Sequence, residues 1–163
     1  MMEMTHYMEL LATNQPWNLL IFMAFPVIFA ETIAISELYL LFTRNLTGKV
    51  RQINKFSGIF VGFYFLIVFF YLFFKVVIPL TINGQWRTII DVIAVGSYLL
   101  GVIPLFGIAL LELGLIYKHK AEESKLKLHA TFVGIFLIVA HIAMIFGMLS
   151  PSLLDGSHPM HPR

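Results

Sequence analysis

Four long apolar stretches, residues 17–42, 56–80, 87–117 and 126–149, take up most of this 163-residue chain. An α-helix rises ~1.5 Å per residue, so about 20 residues cross a hydrocarbon core of ~30 Å. Each stretch has 24 to 31 residues and can span with some tilt. Only 12% of the residues are charged, against about 25% in a soluble domain. In lipid every backbone polar group must be satisfied internally, so apolar runs of this length are read as helices. The expected fold is an all-α membrane protein, an antiparallel four-helix transmembrane bundle. Residues 1–150 form its single domain, with no room for a soluble one, and residues 151–163 form a tail.

The basic residues set the expected orientation. The first connection carries Arg44, Lys49, Arg51 and Lys55, and the third carries Lys118, Lys120, Lys125 and Lys127. The opposite side has only Lys75, Arg87 and Arg163. The excess places the first and third connections in the cytoplasm and both termini in the periplasm. Trp17 and Trp86 then fall at outer span ends, where interfacial aromatics belong. No Lys or Arg precedes the first apolar run, so it is expected to stay in the mature protein rather than act as a signal peptide. Met4, Met8 and Leu11 share one face of a short segment that Asn14-Gln15-Pro16 would stop, which predicts a brief interfacial helix. Asn83-Gly84 marks a turn between spans 2 and 3. Pro26 predicts a kink in span 1, and Gly58-x-x-x-Gly62 predicts a close helix approach by span 2. Gly96, Gly101, Pro104, Gly107 and Gly114 predict a kinked or tightly packed span 3.

Ionisable residues inside the spans single out candidate sites, because a charge at the bilayer centre costs roughly 2.5–3.5 kcal/mol on insertion scales. Glu31 lies halfway through span 1, and His141 lies about 12 Å from the outer end of span 4. Glu37, Glu112 and His129 lie near the cytoplasmic ends and form an inner polar layer; the bland alternative is that they hydrogen-bond between helices or reach out to water. Asp91, Lys75 and Arg87 lie near the outer surface, where they are able to pair with one another.

The methionines sharpen this. Met1, Met2, Met4, Met8, Met23, Met144, Met148 and Met160 all fall in the outer half or beyond it, as do His6, His141, His158 and His161. Packing gives no reason for the skew. Thioether and imidazole together suit Cu(I), and with no cysteine in the chain thiolate sites are excluded. The expected metal site is His6, His141, Met144, Met148 and Glu31, with Met2, Met4, Met8, His158, Met160 and His161 gathering ions at the periplasmic face. The ligand is most simply a copper ion, bound or transported. The polar layer would continue a path inward, and a transporter of only four spans is expected to form a homo-oligomer.

Two alternatives remain open. A b-type cytochrome would take haem b as cofactor for electron transfer, with His141 paired to His6 or a methionine, or His129 paired to His119. A non-catalytic accessory subunit would use its polar residues to contact a larger membrane complex. No serine-nucleophile motif and no H-E-x-x-H occurs, so no catalytic residue is named and an enzyme is not expected; nor is nucleic acid a partner.

The stretches "THYMELLATNQPWNLLIFMAFPVIFAETIAISELYLLFTR", "DVIAVGSYLLGVIPLFGIALLELGL" and "KLHATFVGIFLIVAHIAMIFGM" resemble a family of small four-span bacterial inner-membrane proteins over roughly residues 5–149. Members usually carry the label "permease". The resemblance implies a multi-pass protein of the bacterial inner membrane and carries no ligand residues with it. The tail lies outside the matching core.

Overall fold

A computed structural model of the chain describes residues 4–150, and among these it is all helical. A short helix α1 (His6–Ala12) precedes four helices long and apolar enough to cross a membrane: α2 (Trp17–Thr43), α3 (Lys49–Ile82), α4 (Ile89–Glu112) and α5 (Glu122–Met148). The chain is thus a multi-pass membrane protein by the length and composition of these helices. In the most apolar window of each, at most 44% is buried inside the protein, so the remaining surface is compatible with lipid. Ile35, Phe42, Ile67 and Ile82 are among the most exposed residues on that surface.

Boundaries differ from the apolar runs for local reasons. Helix α3 begins at Lys49 rather than near residue 56, because a charged turn can extend a helix beyond the apolar layer, with Gly48 at its N-cap. Helix α4 stops at Glu112 rather than near residue 117. Gly114 follows with φ of 72°, a left-handed turn that a glycine makes without a Cβ clash. Gly84, at φ of 61°, makes the turn between α3 and α4.

Each span packs on its sequence neighbours, and α5 returns to α2. The Gly58/Gly62 pair lies on the seam of α3 against α4. A Cβ on Gly62 would sit 2.5 Å from Ala109 Cβ and 2.6 Å from the Leu105 carbonyl oxygen. One on Gly58 would sit 2.7 Å from Ile108 Cγ2. In α4 the helix breaks at Gly101, which lies against the Phe136 ring of α5, and Gly107 takes the edge of Phe132 in the same way.

Pro26 does disturb α2. The turn before it, Leu20–Ala24, widens to π geometry, and the Phe25 N–H reaches back five residues to Leu20 O. Proline has no N–H to give, so carbonyls one turn earlier lose a donor. Two tyrosine hydroxyls from other spans supply it: Tyr64 donates to Ile21 O at 2.8 Å and Tyr98 to Phe22 O at 2.5 Å. A backbone defect in one helix is thereby converted into ties to α3 and α4.

Candidate functional site

The α2–α5 seam is thinner than the α2–α3 and α3–α4 seams, and a cavity of about 490 Å³ opens beside it. Glu31, His141, Met144 and Met23 all line it, beneath a largely apolar wall that includes Phe22, Phe65, Tyr98 and Phe136. Glu31 and His141 are both exposed rather than packed away. Glu31 has no hydrogen-bond partner among the described residues. The His141 ring is fixed by its own helix, with Nδ1 2.6 Å from the Leu137 carbonyl oxygen. A carbonyl only accepts, so Nδ1 carries the hydrogen, and Nε2 makes no hydrogen bond among the described residues. Metal-binding histidines are commonly oriented by such a bond from the other nitrogen.

Helix α1 lies across one end of α4 and α5. Thr5 accepts the Met8 N–H as N-cap and donates to Gly147 O at 2.7 Å, tying α1 to the end of α5. Tyr7 packs where a Gly147 side chain would stand, and lies 5.3 Å from the Tyr98 ring. Burial pushes the Tyr7 hydroxyl up to about 12. The His6 N–H donates to Asp91 Oδ1 at 2.7 Å, and His6 Nδ1 pairs with Asp91 Oδ2. Asp91 is fully buried, so it pairs with His6 rather than with Lys75 or Arg87. Arg87 instead holds α1 from outside, through Glu9 at 2.6 Å and the Met4 carbonyl. An aspartate in the first turn of α4 faces that helix's N-terminal dipole, which favours the carboxylate there.

The third feature draws on all four spans. Glu37 of α2, Arg51 and Asn54 of α3, Glu112 of α4 and His129 of α5 meet in one buried cluster. Arg51 grips Glu112 with two nitrogens, at 2.7 and 2.8 Å. Asn54 donates to Glu37 Oε2 at 3.0 Å and Ser36 Oγ at 2.9 Å, while its oxygen accepts from Arg51 at 3.2 Å. His129 Nδ1 lies 2.7 Å from Glu37 Oε2 and Nε2 lies 3.3 Å from Glu112 Oε1. Both contacts have the distance of an ion pair, but neither ring nitrogen is aligned as a hydrogen bond. Glu37 Oε1 is buried with no hydrogen-bond partner among the described residues.

The residues that the sequence singles out are therefore divided among three places. Glu31, His141 and Met144 share the cavity; Met148 lies exposed just beyond it on α5. His6 is engaged by Asp91 at the α1 latch, with Met8 on the same short helix and Met4 just before its N-cap. Glu37, Glu112 and His129 stand together, while His119 is exposed in the loop before α5. Met2, His158, Met160 and His161 lie outside the described residues. Among the described residues, no group of three or more His, Asp or Glu side chains is arranged to hold a metal ion. Arg51, Asn54 and Ser36 were not legible as site residues, because Arg51 reads as a loop cation and the other two as ordinary helix polars. A signal exists nonetheless: Arg51, Asn54, Gly58 and Gly62 follow at steps of three and four, one stripe of α3 that turns from polar to small.

No curated protein and no solved structure matches the chain. Residues 2–163 match a family of unknown function, DUF6803, and with nearly its whole length covered the chain belongs to that family.

Proposed function

We propose that the protein binds a soft transition-metal ion, most simply Cu(I), in the cavity between α2 and α5, with His141, Met144 and Glu31 as its ligands. The observation that carries this is the His141 ring, pinned at Nδ1 and free at Nε2, on a cavity that also holds two thioethers and an unpaired carboxyl. An exposed glutamate at mid-span is expensive in lipid, and a bound cation or a neighbouring chain would relieve it. Met23 lines the same cavity and joins the ligand set. His6 serves as a latch residue, since a metal would have to displace Asp91 from it. Met2, Met4, Met8, Met148, His158, Met160 and His161 are gathering residues, and a transporter built on this cavity works as a homo-oligomer. The chain sits in the bacterial inner membrane as an antiparallel bundle with both termini periplasmic, supported by the Lys and Arg excess in the first and third connections.

The cavity wall favours a second reading. A space of about 490 Å³ lined by five aromatic rings suits a flat apolar group, and haem b with His141 as axial ligand fits that chemistry. Elemental analysis and a visible spectrum of the purified protein separate the two. Bound copper without a Soret band supports the first reading, and a Soret band supports the second. Protein that takes up neither, and purifies only with a larger complex, refutes both in favour of an accessory subunit.

A further inference from the structure

We propose that Glu37 and His129 share one exchangeable proton, so that the inner cluster is a proton-binding site among the spans, separate from the α2–α5 cavity. Charge balance carries the argument. The Arg51 guanidinium and the Glu112 carboxylate cancel through their two-point contact. What remains is one carboxyl facing one imidazole at 2.7 Å, both almost wholly buried. With one proton the pair is neutral overall, as carboxylate with imidazolium or as carboxylic acid with imidazole. With none it leaves a bare negative charge in the interior, and with two a bare positive one. Either is costly in low dielectric, so near neutral pH the pair holds one proton, and it gives that proton up or takes a second only as pH moves away from neutral. The titratable and charged groups facing the pair are Glu112 of α4 and Arg51 of α3, and they already cancel.

A second observation points to the ligand. Glu37 Oε1 is buried and unpartnered, which leaves a place for the proton itself, while Asn54 holds the other oxygen. The His129 ring is near enough to Glu37 to exchange a proton but not aligned to lock one in place. The transfer balances simply: the Nδ1–H bond of His129 breaks, an O–H bond forms on Glu37, and two charges vanish together. Release then ionises the carboxylic acid to water. Arg51, bonded to Asn54 and in the first turn of α3, is about one-fifth exposed and marks the exit.

The full-length protein in lipid nanodiscs provides the test. Histidine labelled with ¹⁵N reports the His129 ring by NMR, assigned by difference from His129→Gln, and infrared spectra report a protonated carboxyl at Glu37. Between about pH 5 and 9 a reversible one-proton change is expected at this pair, lost in Glu37→Gln and kept in His119→Gln. Glu37→Gln retains an oxygen for Asn54, so it is expected to fold, and it supplies the assignment if His129→Gln does not. Signals from both groups that stay constant over that range while the protein remains folded overturn the proposal. So does an identical change in Glu37→Gln, which would assign the proton to other groups.

Discussion

Gly62→Ala tests how α3 and α4 hold the inner cluster. The added Cβ falls 2.5 Å from Ala109 Cβ and 2.6 Å from the Leu105 carbonyl oxygen, and ordinary carbon contacts begin near 3.4 Å. The shortfall is about 0.9 Å, and one obstacle is backbone, which no rotamer change removes. The helices must separate, and overpacking of this kind costs about 1–3 kcal/mol. Gly58→Ala meets only the Ile108 side chain at under 3 Å, so its cost should be smaller, although its Cβ also comes within 3.5 Å of His129 Nε2. Gly96→Ala is the control: nothing lies within 4 Å, and gaining helix propensity worth up to ~1 kcal/mol makes it neutral or stabilising. The assay is unfolding in mixed detergent micelles, with the populations followed by circular dichroism. The predicted order of destabilisation is Gly62→Ala, then Gly58→Ala, then Gly96→Ala. Equal stability for Gly62→Ala and Gly96→Ala would refute the close approach and with it the support for the Arg51–Glu112 contact.

Two further outcomes concern Tyr98 and Tyr7. Tyr98→Phe removes the donor that satisfies Phe22 O, at an expected cost of about 1–2 kcal/mol, and Pro26→Ala should shrink that cost by restoring a backbone N–H; the double-mutant cycle in the same unfolding assay measures the coupling. Tyr7 is neutral in the fold up to about 12 against an ordinary 10.0, so its contribution is fully present below pH 10.0 and is lost as pH rises through about 12. That loss amounts to roughly 2–3 kcal/mol. Lysines titrate in the same window, so the difference between wild type and Tyr7→Phe is the quantity to read; superimposable alkaline unfolding curves would contradict it.

The apolar runs made the spans legible, since length and hydropathy act locally. The same holds for the Asn83-Gly84 turn, the short helix before Pro16 and the glycine pair of α3. The partners of the charges were not legible in this way. Asp91 has Arg87 four residues away in sequence, yet it pairs with His6, 85 positions distant, because α1 folds back over the end of α4. Arg51 counts among the cations of the first connection, but the helix starts earlier than the apolar run, and that turn swings its guanidinium onto Glu112, 61 positions away. Glu37, Glu112 and His129 could be grouped by depth from the helix ends, but depth alone does not say which faces of four helices meet. For the same reason His6 looked like a partner of His141, while the fold gives it to a buried carboxylate.

Titration of the purified protein with Cu(I) against a competing chelator decides whether His141 holds a metal. The wild type is expected to bind one Cu(I) per chain, and His141→Ala to bind it with an affinity at least about tenfold lower, equivalent to about 1.4 kcal/mol. Met144→Leu should weaken binding as well, and Met148→Leu, beyond the cavity, should change it little. Stoichiometric binding that survives His141→Ala unchanged, or no binding by the wild-type chain, would rule out a metal site at His141.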